Sequence, residues 1–125
     1  MATDMNKSLL VIILFFSPAL WATDIVIFGD SLSAGYGIEK DQSWVEHIKE
    51  KLQALEPKVT IVNASISGET AKGGERRLPL ILKQHQPKII MLELGANDGL
   101  RGYPISGIKQ QLASMIEQSQ QQQDP

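Results

Sequence analysis

The sequence predicts an α/β fold, a parallel β-sheet flanked by helices on both faces. Three observations carry this expectation. Short apolar, β-branched runs occur at residues 24–28, 59–63 and 88–94. Stretches with helical spacing of apolar residues separate them, as in parallel βαβ units. Each run is followed closely by glycine-rich turn residues, so the turns fall at the carboxyl ends of the strands. In an open parallel sheet these ends share one edge, where ligands bind.

A chain of 125 residues has room for one small domain. Its formal net charge of −2 argues against a nucleic-acid binder, which is normally basic. It has no cysteine, which excludes disulfides, thiolate zinc sites and a cysteine nucleophile. Residues 1–22 read as a secretory signal: Lys7, an apolar core at 9–16, then small residues up to a cleavage point after Ala22. The apolar core is too short to span a bilayer, which takes roughly 20 residues. The expected organisation is a signal peptide at 1–22, the domain at 23–117 and a polar tail at 118–125. The glutamine run at 120–123 is expected to fray.

Taken in order, the first strand is expected at 24–28 and the first helix at 43–55. Ser43 and Glu46 have capping-box spacing, and Trp44, Val45, Ile48, Leu52 and Leu55 form an apolar stripe ended by Pro57. The second strand follows at 59–63, then a Gly/Ser/Thr-rich loop at 65–74. Helical spacing resumes near Arg76, with Pro79 expected in the first turn of a new segment, because proline removes a donor from a helix interior. Gln86-Pro87 ends that element. The third strand is expected at 88–94 and the last helix at 106–117. In the expected order 2-1-3, the third strand lies at an open edge. Yet its run at 89–92 has the composition of a strand buried on both faces. The sequence therefore reads as the N-terminal part of a longer domain, its sheet incomplete on the C-terminal side.

The chemistry gathers at the three turns. Ser31, in Gly29-Asp30-Ser31, stands just past the first strand, where a serine serves either as a helix cap or as a nucleophile. Asp30 reads as a brace of the turn. Acyl transfer needs, besides a nucleophile, donors aimed at the developing oxyanion. The Ser31 N–H, the Gly68 N–H and the Asn97 side-chain amide can supply three such donors from consecutive strand ends. Plain turn chemistry is the other reading of Gly68, Gly95 and Asn97.

The stretches GDSLSAGYG at 29–37, NASISG at 63–68 and GAND at 95–98 resemble, in order and spacing, three blocks of the GDSL or SGNH hydrolases. The run from Asp24 to about Leu112 is similar to the bacterial periplasmic acyl-CoA thioesterase I, lysophospholipase and arylesterase branch. The resemblance implies an SGNH-hydrolase (flavodoxin-like) α/β/α fold. It also implies hydrolysis of esters or thioesters through an acyl-Ser31 intermediate, with Ser31, Gly68 and Asn97 as the oxyanion hole. It implies no cofactor and no metal, a small-molecule acyl ester or thioester as partner, and a periplasmic or secreted location. The family's fourth block, Asp-x-x-His, does not occur in this sequence. His47 and His85 stand at no matching position, so the chain as given is expected to be inactive alone. Two rivals remain: a non-catalytic acyl or ester binder, and a flavodoxin-like nucleotide or phosphate binder. The second lacks both G-x-x-x-x-G-K-[ST] and G-x-G-x-x-G.

Overall fold

A computed structural model describes residues 22–122. Residues 1–21 of the expected signal segment at 1–22, and the last three residues, lie outside the described residues. Three parallel strands, β1 (Ile25–Gly29), β2 (Ile61–Asn63) and β3 (Ile89–Glu93), form a sheet in the order β2-β1-β3. The helices are α1 (Ser31–Ala34), α2 (Trp44–Leu55), α3 (Ala71–His85), α4 (Ala96–Leu100) and α5 (Ile105–Gln121). Ile25 pairs with Ile61 on one side and with Ile89 on the other. All three strands therefore end on one edge, as expected.

The central strand is the most apolar and the most buried. Val26 and Phe28 point to one face and pack with Leu78 and Leu82 of α3 and Met115 of α5. Ile27, which alternates with them, is buried on the other face. The crossover from β1 to β2 runs opposite to that from β2 to β3. Right-handed connections therefore put α2 and α3 on opposite faces. The three-layer α/β/α arrangement follows.

Several element boundaries differ from those read in the sequence. Residues 59 and 60 fall outside β2 because Thr60 is engaged by a side chain. Its N–H and hydroxyl both donate to Asp24 Oδ2 at 2.9 Å. Ser43 caps α2 by accepting from the Glu46 N–H at 3.2 Å, while its own N–H goes to the Lys40 carbonyl. The capping box is thus formed only on the serine side. Pro79 does not open a new segment. It sits inside the continuous α3. Leu78 and Leu82 flank it in the core while Pro79 itself is exposed, so burial of its neighbours carries the helix across the missing hydrogen bond. α5 runs to Gln121, past the expected end at residue 117. Ser119, nearly buried, bonds back to the Met115 carbonyl, and Gln122 donates to the Leu82 carbonyl at 2.7 Å, tying this end to α3. Among the described residues β3 has no partner on its outer edge. Ile89 is 57% and Met91 39% exposed there, so this run is not buried on both faces.

Two expectations for stability follow. A Cβ on Gly74 would lie 2.5 Å from Leu94 Cδ1 and 3.2 Å from Phe28 Cε1. Overpacking of this kind costs roughly 1–3 kcal/mol, against a helix-propensity gain of about 1 kcal/mol. Gly74→Ala should lower the thermal midpoint; an unchanged or raised midpoint would show that α3 is not held this close to β1. At the other end of β1, Lys88 Nζ donates to Asp24 Oδ1 at 2.5 Å. That bond, followed by those from Thr60, holds the Asp24 carboxyl at about 2, below the ordinary value near 3.9. The folded state therefore binds this proton less readily than the unfolded state. The stabilisation is complete above about pH 4 and is lost as pH falls through about 2. Asp24→Asn should flatten that part of the pH–stability curve, measured by thermal melts.

Candidate active site

Gly29 ends β1 between two neighbouring strands that hold the following turn. From the β2 side, Ser65 Oγ accepts from the Gly29 N–H at 3.0 Å, and the Asn63 amide donates to the Ser33 carbonyl at 2.7 Å. From the β3 side, Glu93 Oε2 accepts from the Ser33 hydroxyl at 2.7 Å. Asp30 is the N-cap of α1 and accepts from the Leu32 N–H at 2.9 Å, the bracing role expected from the sequence. Ser31 follows as the first residue of α1 and is half-buried. Neither its hydroxyl nor its N–H donates to a described residue. The two nearby serines are thereby distinguished: Ser33 is fully buried and bonded to Glu93, whereas the Ser31 hydroxyl bonds to no described residue.

Asn97 lies in the first turn of α4, after Gly95. Its Nδ2 donates to the Glu69 carbonyl at 2.9 Å and faces Asp30 Oδ2 at 3.4 Å. One side chain thus connects the turns that follow all three strands. Ser31, Leu32, Asn97 and Leu100 line one open cleft of about 510 Å3. Gly68 is not among the residues lining it. It lies in the adjoining turn, where the Glu69 N–H donates to the Ile66 carbonyl. Its φ of +81° requires glycine, its N–H donates to no described residue, and the space on its Cβ side is open. The structure therefore brings Ser31 and Asn97 into one cleft and links the Gly68–Glu69 turn to it through Asn97.

The two histidines are elsewhere. His85 ends α3 at the opposite edge of the sheet, where its carbonyl accepts from the Thr23 N–H. His47 is exposed on α2. Neither lines the cleft.

This geometry has a counterpart in known proteins. Residues 27–125 match the GDSL-like Lipase/Acylhydrolase family. The chain belongs to that family. It is 45% identical to an arylesterase of Vibrio mimicus over 111 residues, covering 86% of this chain and 56% of the relative. It is 43% identical to the thioesterase 1/protease 1/lysophospholipase L1 of Escherichia coli K12, covering 87% and 50% respectively. Among solved structures, TesA superposes with a TM-score of 0.77 at 39% identity, covering 80% of this chain and 56% of that one. AlinE4, an SGNH-hydrolase family esterase, gives 0.75 at 34%, covering 83% and 56%. The chain spans about half the length of the curated relatives it matches. The family and the fold expected from the three blocks are thus borne out.

Two parts of this GDSL-family site were not assigned from the sequence. Glu93, at the end of β3, anchors Ser33. Asp98, beside Asn97, is 1% exposed and accepts from the Ala71 N–H at 2.8 Å, capping α3 together with Thr70. A carboxylate inside the Gly95–Asp98 turn was the available signal. Asp98→Ala should destabilise the fold by about 1–3 kcal/mol, since it leaves a buried N–H without a partner. Asp98→Asn, which keeps an acceptor oxygen, should cost less. Equal losses in denaturant melts would contradict this role.

Proposed function

We propose that this chain carries the nucleophile and the oxyanion donors of a hydrolase of carboxylic esters and thioesters. The observation that supports it is the cleft shared by Asn97 and a Ser31 whose hydroxyl bonds to no described residue. Ser31 Oγ attacks the acyl carbonyl carbon as its proton passes to a base. The oxyanion takes hydrogen bonds from the Ser31 N–H, the Gly68 N–H and the Asn97 amide. The 3.4 Å approach of Asn97 Nδ2 to Asp30 is longer than a normal hydrogen bond, so an oxyanion competes well for that proton. One such donor is typically worth about 3–4 kcal/mol in the transition state. The tetrahedral adduct expels an alcohol or thiol, which leaves with a proton. Water then attacks acyl-Ser31 and regenerates the hydroxyl. The named relatives, an arylesterase and a thioesterase/lysophospholipase, support the substrate class.

The reading requires a base that these 125 residues do not supply. Neither histidine lines the cleft, and no Asp-x-x-His occurs. Loss of the base in such a unit costs on the order of 10⁶ in turnover. A second reading, a non-catalytic acyl or ester binder, is favoured by the same missing base. Residues 1–22 act as a signal for export to the periplasm or beyond, and the residues from 23 onward, through the end of α5 at Gln121, form the domain part. No described helix is long and apolar enough to cross a membrane.

Hydrolysis of a p-nitrophenyl acyl ester tests the proposal. The chain alone should be slower than an ordinary enzyme by several orders of magnitude. Fusion to the C-terminal part of the Vibrio mimicus relative should restore turnover. In that fusion Ser31→Ala should abolish the activity and Asn97→Ala should lower it by about 10²–10³. Turnover by the unfused chain at about 1 s⁻¹ or faster would overturn the assignment of the base. Full activity of the Ser31→Ala fusion would overturn the nucleophile. An exported protein beginning at Met1 or Met5 rather than near Thr23, by mass spectrometry, would overturn signal cleavage.

A further inference from the structure

A second concavity lies on the other side of α4. Lys72 and Arg76 project from one face of α3, four residues apart, and Arg101 follows α4. With Thr70, Tyr103 and Gln111 they line a cavity of about 470 Å3. None of the three cations forms an ion pair with a described carboxylate. Asp98 is the one carboxylate of the lining, and its Oδ2 is occupied by the Ala71 N–H. Three positive charges thus stand against one engaged negative charge, in a chain whose net charge is −2. Like charges gathered in a concavity, outnumbering the chain's own counter-charge there, create a local field that attracts anions. Two of the three are arginines, whose planar donor forks match phosphate oxygens.

The cavity and the Ser31 cleft share a wall. Asn97, Gly99 and Leu100 line the cleft, whereas Asp98 and Arg101, on the same short stretch, line the cavity. We propose that this cavity binds the phosphate of the substrate's leaving group while the acyl carbonyl sits at Ser31. The inference rests on the ester and thioester hydrolase reading above. Two leaving groups share the chemistry: a thiol on a phosphate-bearing arm, as in coenzyme A, and the glycerophospho head group of a lysophospholipid. An aryl leaving group carries no phosphate and makes no use of the cavity.

Calorimetric titration of the 125-residue chain tests this without any turnover. The probes are coenzyme A with pantetheine as its phosphate-free counterpart, sn-glycero-3-phosphocholine with glycerol as its counterpart, and inorganic phosphate. At least one phosphate-bearing leaving group should bind about tenfold or more tightly than its counterpart, and added salt should weaken it. The triple variant Lys72→Gln, Arg76→Gln, Arg101→Gln should lose about tenfold or more of that affinity. All three residues are exposed, so its circular dichroism and melting should match wild type. Binding of coenzyme A alone assigns the thiol source, and binding of the glycerophospho group alone assigns the lipid source. Binding of both assigns the shared phosphate. The proposal is overturned if neither binds better than its counterpart, if inorganic phosphate binds as tightly as both, or if the triple variant binds like wild type. Ser31→Ala should leave the titration unchanged, which separates the two readings. An active fusion with a blank titration defeats only the anion site. An inactive fusion with a positive titration defeats only the hydrolase reading.

Discussion

The close approach of Gly29 to β3 governs the architecture around Ser31. A Cβ at Gly29 would lie 2.7 Å from Glu93 Oε2 and 2.9 Å from both the Glu93 carbonyl oxygen and Ser33 Oγ. Only glycine allows the chain to turn sharply there while the neighbouring strand stays paired. The hydrogen bonds to Ser65 and Glu93 and from Asn63 then hold the turn from both sides. The first residue of α1 has few ways to move, so the Ser31 hydroxyl is presented at a fixed position beside the sheet edge. Such positioning is what a nucleophile needs, because small displacements at a reacting centre cost rate steeply.

A second constraint binds the three turns into one unit. Asn97 reaches the Glu69 carbonyl and faces Asp30. Glu69 is in turn anchored by Arg77, 2.9 Å from its carboxylate, and the Arg77 guanidinium stacks over the Phe28 ring at 4.1 Å. Phe28 is fully buried in β1. The polar edge of the sheet is thus tied to the hydrophobic core through one partly buried cation. Asp98 adds a second tie by capping α3, the helix that carries Arg77. In this arrangement the packing of β1 and the orientation of the amide at Asn97 depend on each other.

The sequence made the strands, their order and their shared edge legible, because β-branched runs ended by small residues at each strand end admit few other folds. That Ser31 and Asn97 share one edge was legible for the same reason: parallel strands bring their carboxyl ends together without further information. The continuity of α3 through Pro79 was not legible. It depends on Leu78 and Leu82 being buried against β1 and α5, a tertiary effect that outweighs local propensity. The extension of α5 through polar glutamines was hidden likewise, since Gln122 gains its partner only from α3. Glu93 and Asp98 could be seen but not assigned, because their partners lie 60 and 27 residues away.

The central claim is that Ser31, rather than a neighbouring serine, bears the acyl group. Peptide mapping by mass spectrometry, after the fusion is quenched during hydrolysis of a p-nitrophenyl ester, reads this directly. The account predicts a single acyl adduct on the peptide containing Ser31, located at Ser31 by fragmentation and absent from Ser31→Ala. An adduct on Ser33 or Ser65 instead, or an unchanged adduct in Ser31→Ala, would contradict it.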